Sequence, residues 1–240
     1  MIDIHCHLLP GVDDGPEGFD EALAMISQGV EDGIRSAVVT PHILGPLDDG
    51  LSGLLRERFQ QLEEKVAREG FDIQLFLGSE IFFQFGLSSI CQQKVATLNQ
   101  KGKYCLVEFP LNSIPARFEY ELFRLQLSGL VPIIAHPERN IVLASDPEKL
   151  SEIVGRGILL QVNAGSLTGR QGRYVRKVAE RLLSDGIVHF VASDSHDTSV
   201  RPFILSKARQ AVEKLVGSEE TDRIFSINPR KAINGKTIEV

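Results

Sequence analysis

The sequence predicts an α/β fold, a parallel β/α barrel of seven or eight strands, and three observations carry that expectation. Short apolar runs of strand length alternate with longer stretches of helical period from the first residue to about residue 216. Several of the short runs are apolar throughout, as in Ala37-Val38-Val39, Ile133-Ile134-Ala135 and Ile158-Leu159-Leu160, which suits parallel strands covered on both faces. Histidines and acidic residues fall at the ends of these runs, where a parallel barrel gathers its loops on one rim.

Taken along the chain, the first strand spans 1–5 and closes on His5-Cys6-His7; the helix after it, 19–32, stops at Gly33. Strand 36–40 leads to Pro41-His42, and helix 51–69 stops at Gly70. Strand 73–78 leads to Glu80, and strand 104–109 carries Glu108 near its end. Helix 117–128 stops at Gly129, and strand 131–135 runs into His136. Asp146-Pro147 supplies an N-cap and a first-turn proline to helix 147–156, which Gly157 ends. Strand 158–162, helix 173–185 ending at Gly186, strand 188–193 and helix 203–216 ending at Gly217 complete the alternation. Residues 218–233 read as one or two closing helices, the second starting at Asn228-Pro229. No linker or repeat interrupts the pattern, so residues 1–240 are expected to form one domain.

With 42% hydrophobic and 24% charged residues the chain has the composition of a folded globular protein, which excludes a disordered or fibrous reading. Its net charge of −6 argues against a general nucleic-acid binder while leaving room for a small basic pocket. No apolar run approaches the roughly 18 residues a bilayer crossing needs, and no basic-then-apolar leader precedes Ile2, so a cytoplasmic location without membrane insertion is expected. Three cysteines, Cys6, Cys91 and Cys105, are too few and too odd in number for a disulfide framework and are expected as free thiols.

Five of the six histidines, His5, His7, His42, His136 and His196, lie at or just beyond strand ends. Glu80, Glu108 and Asp194 occupy the same kind of position, and Asp14 sits in the loop Gly11-Val12-Asp13-Asp14-Gly15-Pro16 over that rim. Residues two apart on a strand share a face, so His5 and His7 can reach one ion while Cys6 points away. The same period pairs Asp194 with His196, and Asp3 with His5, where Asp3 is expected to orient the imidazole from behind. Glu80 and Glu108 follow apolar runs, and a buried unpaired carboxylate costs several kcal/mol.

Nine nitrogen and oxygen ligands exceed what one ion takes and imply two or three, of a kind suited to Mn²⁺, Fe²⁺ or Zn²⁺. Three dications carry +6 against the −4 of Asp14, Glu80, Glu108 and Asp194, a surplus that suits a phosphate dianion. Paired metals about 3.5–4 Å apart are a common solution for phosphoester hydrolysis, generating a bridging hydroxide that attacks phosphorus in line. Arg139, three residues past His136, and Arg201, five past His196, have the bidentate geometry to grip nonbridging oxygens. His189, at the start of its strand, is expected to be structural. Asp13 reads as a turn former, Phe82, Phe83 and Phe85 as core, and Gly169-Arg170-Gln171-Gly172 as a turn only faintly like a phosphate loop.

These residues, His5-Cys6-His7, His42, Glu80, Glu108, His136 and Asp194-Ser195-His196 in order, resemble the PHP (polymerase and histidinol phosphatase) superfamily across nearly the whole chain. The opening Met-Ile-Asp-Ile-His-Cys-His with Val12-Asp13-Asp14-Gly15-Pro16, and further His136-Pro137-Glu138-Arg139, Gln161-Val162-Asn163, Arg201-Pro202 and Asn228-Pro229, is similar to the bacterial tyrosine-protein phosphatases of capsule and exopolysaccharide operons, the CpsB/YwqE group. The resemblance implies a distorted (β/α)7 TIM-like barrel, up to three metals with Mn²⁺ foremost, and phosphotyrosine in the C-terminal tail of a bacterial tyrosine kinase as substrate. It also implies a division of ligands: His5, His7, Glu80 and Asp194 for one ion; Glu80, Glu108 and His136 for a second; Asp14, His42 and His196 for a third. Where that group often has tyrosines after the Glu-Ile pair, this chain has Phe82-Phe83.

Three rivals differ in chemistry. The same metal site could serve a small phosphomonoester such as histidinol phosphate. An amidohydrolase shares the His-x-His strand end but commonly presents a carboxylated lysine where this chain has Glu108. A binding protein that sequesters phosphotyrosine tails needs the pocket without turnover. A cysteine-phosphate mechanism requires an arginine six positions after a cysteine, and Val12, Thr97 and Leu111 stand there instead.

Overall fold

Parallel pairing runs through every strand of the computed structural model, which describes residues 1–239. The strands are β1 (Ile2–Cys6), β2 (Ser36–Val39), β3 (His42–Ile43), β4 (Gln74–Leu77), β5 (Glu80–Phe82), β6 (Tyr104–Glu108), β7 (Val131–Ala135), β8 (Leu159–Asn163) and β9 (Phe190–Ala192). They pair as β1-β2-β4 and as β3-β5-β6-β7-β8-β9. β3 continues the line of β2 and β5 that of β4, with Gly78 N donating to Val39 O at 2.9 Å and Glu80 N to Pro41 O at 3.1 Å across the breaks. The last stave meets the first: Asp194 N donates to His5 O at 2.9 Å and His7 N to Ser195 O at 2.8 Å. Seven staves therefore close into a distorted β/α barrel. The interruptions after β2 and β4 explain why sequence periodicity showed one strand in each place where there are two short ones.

Alternate residues divide the core. Ile4, Val38, Leu106, Ile133, Leu159 and Phe190 belong to a cluster inside the barrel. Val39, Leu77, Val107, Ile134, Leu160 and Val191 belong to the larger cluster under the helices. Each such side chain contributes roughly 1.5–3 kcal/mol by leaving water. The helix Phe19–Glu31 lies close because Gly29 faces Phe203: a Cβ there would fall 2.2 Å from the ring.

β1 breaks the simple alternation. Asp3 pairs with Ala37 but Cys6 with Val39, three residues against two, so β1 carries a bulge. Ile4 and His5 both turn inward, and Asp3 is left on the other face. The expected contact of Asp3 with the His5 imidazole is accordingly absent. Its carboxylate accepts instead from His5 N at 3.1 Å and from Ser193 N at 3.2 Å, pinning the first stave to the last.

The six main helices stand where periodicity places them, with capping visible at their ends. Asp48 accepts from Leu51 N, and Asp146 from Lys149 N ahead of Pro147. The last main helix begins at Ser206 rather than 203, because Asp32 from a distant helix end accepts from Leu205 N at 2.7 Å and Ser206 N at 2.8 Å. The closing helices are Ser218–Asp222, a single wide turn over Arg223–Ile227, and Asn228–Ile233. They cover the end of the barrel where strands begin, with Ala232, Ile233 and Ile238 joining the interior cluster. The three cysteines are free and buried. Among the described residues no helix is long and apolar enough to cross a membrane.

Candidate metal centre

All nine predicted ligands converge on the opposite rim. β1 supplies His5 and the residue after it, His7; β3 supplies His42, β5 Glu80 and β6 Glu108. His136 follows β7 and Asp194 lies two residues past β9. Both have left-handed backbones, with φ of 32° and 52°, a conformation that costs non-glycine residues energy and clusters at functional sites. The reversal lets each side chain leave the strand direction and turn over the mouth.

Three sets of ligand atoms lie within 4.8 Å of one another: His5, His7 and Glu80; His42, Glu80 and Glu108; and His7, Asp14, His42 and His196. Glu80, fully buried, is central. Its Oε2 lies 3.2 Å from His5 Nε2, 3.3 Å from His7 Nε2 and 3.0 Å from His42 Nδ1, while Oε1 lies 3.2 Å from His136 Nε2. Glu108 faces His136 at 3.6 Å and His42 at 3.7 Å. Asp14, more than half exposed, reaches His196 Nε2 at 3.2 Å and His42 Nε2 at 3.4 Å.

Outer partners set which ring nitrogen points inward. His5 Nδ1 meets Gln161 Oε1 at 2.9 Å, His7 Nδ1 meets Asp13 Oδ2 at 2.8 Å and His196 Nδ1 meets the Asp194 carbonyl at 3.0 Å. Each acceptor takes the Nδ1 proton in a hydrogen bond, so that in the neutral ring the Nε2 lone pair faces the centre. Asp194 Oδ2 is held by Arg139 Nη1 at 2.9 Å and Asn163 Nδ2 at 2.6 Å, so Oδ1 faces His5 and His7. His42 Nδ1, Glu80 Oε2 and His196 Nε2 are buried without hydrogen-bond partners. Such orphans are costly. Nitrogen and oxygen donors converging with unpaired lone pairs suit divalent cations.

Burial and the neighbouring charges pull against one another across the cluster. Burial opposes charge on His5 and His7, yet Glu80 with Asp194 lifts His5 to about 9, and hydrogen bonds donated to Asp13 and Glu80 lift His7 to about 10. Burial and the neighbouring His7, whose ring stacks on it at 3.9 Å, push His196 down to about 4. Burial works against the Asp194 carboxylate, but His5 and His136 prevail and hold it at about 2. Burial and the adjacent Glu80 charge raise Glu108. The carboxylates thus draw positive charge into a space from which water is largely excluded.

A cavity of about 500 Å³ opens over the centre. Arg139 and Arg201 both line it, the latter with Nη2 donating to Asp14 Oδ2 at 2.9 Å. Val12, Leu44 and Phe82 form its apolar wall. Of the phenylalanines expected in the core, only Phe83 is there: Phe82 faces the cavity and Phe85 is 69% exposed. His189 is remote, as expected, accepting from Leu160 N at 3.2 Å.

Sequence reasoning missed the supports. Asp13 is more than a turn former: it holds His7 and accepts from His42 N at 3.0 Å and Gly15 N at 3.0 Å. Gly15 permits this packing, since a Cβ there would fall 2.7 Å from His7 O. Gln161 and Asn163 bond to one another at 2.8 Å and tie His5 to Asp194. Two polar residues at strand period ending an otherwise apolar β8 were the available signal. Glu138, buried and next to Arg139 in the chain, accepts from Asn163 N at 2.9 Å and Ser166 Oγ at 2.6 Å.

The family model for capsular polysaccharide synthesis, CpsB/CapC, matches residues 1–234. The tyrosine-protein phosphatase YwqE of Bacillus subtilis (strain 168) is 35% identical over 220 residues, 91% of this chain and 86% of its own length. The tyrosine-protein phosphatase CpsB of Streptococcus pneumoniae is 29% identical over 244 residues, 99% of this chain and 100% of its own. A crystal structure from work on these two proteins, described as unique metal-dependent tyrosine phosphatases, superposes with a TM-score of 0.91 at 33% identity, covering 100% of this chain and 96% of its own. A phosphotriesterase homology protein of Escherichia coli, with a TM-score of 0.58 at 12% identity over 97% of this chain and 98% of its own, shares the fold alone.

Proposed function

The chain belongs to the CpsB/CapC family of capsular polysaccharide synthesis, and from that premise we propose that it is a metal-dependent protein-tyrosine phosphatase. One observation carries the reading: His42, His136 and His196 and the carboxylates of Asp14, Glu80, Glu108 and Asp194 line one cavity with two arginines and an apolar wall, and buried atoms of His42, Glu80 and His196 have no hydrogen-bond partner there. His5, His7, Glu80 and Asp194 hold one ion, Glu80, Glu108 and His136 a second, and Asp14, His42 and His196 a third. Among the converging sets of ligand atoms, His7, His42 and Glu80 each fall in two, so the three groups adjoin. Mn²⁺ is the proposed ion, with Fe²⁺ or Zn²⁺ served by the same donors. When bound, the ions supply the acidified water and the charge neutralisation that phosphoester hydrolysis requires.

The remaining work falls to the chain. Arg139 spends one N–H on Asp194 and Arg201 one on Asp14, leaving further donors of each guanidinium for nonbridging phosphate oxygens. Phe82, Leu44 and Val12 receive the phenyl ring. A phenol leaves with a pKa of about 10, so departure needs no strong acid from the protein. The physiological substrate is the phosphotyrosine cluster in the C-terminal tail of a bacterial tyrosine kinase that controls capsule or exopolysaccharide synthesis in the cytoplasm.

The test is metal-depleted protein reloaded with Mn²⁺, Fe²⁺ or Zn²⁺ and offered phosphotyrosine peptides, histidinol phosphate and a panel of amides. Phosphate release from the peptides is the expected result. No release under any metal overturns the reading, and faster release from histidinol phosphate would reassign the substrate.

A further inference from the structure

A second cavity, of about 260 Å³, opens beside the first, and Asp194 and Arg201 line both. Arg170 and Gln171, from the turn between Gly169 and Gly172, form one side, and Lys207, in the first turn of the helix Ser206–Val216, forms the other. Three cationic side chains therefore border this space. Its single carboxylate, Asp194, already has Oδ2 engaged by Arg139 and Asn163. In a chain of net charge −6 this is a local reversal of sign directly adjoining the metal centre.

The cavity's wall is held in place. Arg170 Nη1 donates to Ser199 O at 3.0 Å and Val200 O at 3.2 Å, clamping the turn to the loop that carries Arg201. Gln171 folds over Gly165 so closely that a Cβ there would fall 2.6 Å from its amide nitrogen, and its Oε1 is buried without a partner. Rotating that amide would present a donor in the same place. Lys207 makes no ion pair or hydrogen bond among the described residues, which leaves its ammonium free for an incoming anion.

We propose that this cavity is a second anion subsite, taking a carboxylate or a second phosphate carried by the substrate chain beside the phosphotyrosine. The proposal rests on the phosphatase reading above. Arg201, between the two cavities, then faces both anions, and the enzyme prefers acidic or multiply phosphorylated tails over isolated phosphotyrosine.

The experiment compares kcat/KM for three peptides that differ only beside the phosphotyrosine, with a neutral residue, a glutamate or a second phosphotyrosine, and for phenyl phosphate. Wild-type protein, Lys207→Ala and Lys207→Glu are measured at low and high salt. Wild type is expected to favour the anionic flanks about fivefold at low salt, the scale of one partly exposed charge pair, and less at high salt. Lys207→Ala should weaken the preference and Lys207→Glu abolish it, with phenyl phosphate turnover within about twofold of wild type. A larger gain from the second phosphate than from glutamate assigns phosphate as the source, and equal gains assign any carboxylate or phosphate. Equal rates on all three peptides, or a preference that survives Lys207→Glu, overturn the subsite. Calorimetric binding of the same peptides separates the two readings: flank-dependent affinity without phosphate release supports the subsite and sinks the phosphatase.

Discussion

Histidine is buried at both ends of the barrel, and the two ends use it in opposite ways. Where the strands begin, His189 accepts from Leu160 N, its own N–H donates to Leu160 O at 3.0 Å, and its carbonyl accepts from Asn228 Nδ2 at 3.0 Å. Burial and the charge of Arg223 hold it neutral, with a pKa of about 4. Where the strands end, five imidazoles crowd four carboxylates, and buried atoms of His42, Glu80 and His196 have no partner. The floor is complete in itself. The rim leaves these polar atoms unpaired, as the proposed metal ligation requires, so the difference separates residues that complete their own bonding within the fold from residues that do not.

Four measurements would break or sharpen that contrast. The largest effect is expected for His136→Ala, which should cut phosphate release by more than about 100-fold while leaving the thermal midpoint close to wild type. Retained activity would remove His136 from the centre. Next, saturating Mn²⁺ at about 100 times its Kd should raise the unfolding free energy of metal-depleted protein by roughly 2.7 kcal/mol. A midpoint indifferent to metal would make the rim as self-sufficient as the floor.

Asp13→Ala should weaken metal binding about 10- to 100-fold by freeing His7 from its orienting carboxylate, read by titrating metal into depleted protein. Unchanged affinity would return Asp13 to the role of turn former.

The smallest effect belongs to the floor. The folded pKa of His189 lies below the ordinary value near 6.5, so the unfolded chain binds the extra proton. Its contribution is fully present above pH 6.5 and is lost as pH falls toward about 4. His189→Asn, which keeps a side-chain acceptor for Leu160 N, should flatten stability between these limits by about 1–2 kcal/mol at pH 5 relative to wild type. Parallel stability curves for the two proteins would contradict a buried neutral imidazole there.

Much of the centre was legible because strand-end position is a local property. His5, His42, Glu80, Glu108 and His136 each follow an apolar run, and parallel strands carry such residues to one rim whatever their separation in sequence. The supports were not legible for the same reason. Asp13 had an adequate local explanation in its turn, and nothing near Gln161 or Asn163 in sequence indicates the imidazole and carboxylate they hold. The faint phosphate-loop character of residues 169–172 acquires meaning only beside Lys207 and Arg201.

By itself the sequence determined the alternation of strands and helices, the gathering of histidines and carboxylates at one rim and the separate, structural place of His189, since these follow from apolar period, residue type and position along each strand. Tertiary structure decided the rest. The bulge in β1 put Asp3 and His5 on opposite faces, Asp32 set the start of a helix far along the chain, and the left-handed backbones at His136 and Asp194 turned two side chains over the mouth. Each of these depends on hydrogen bonds or backbone geometry imposed by segments distant in sequence, which no local pattern encodes.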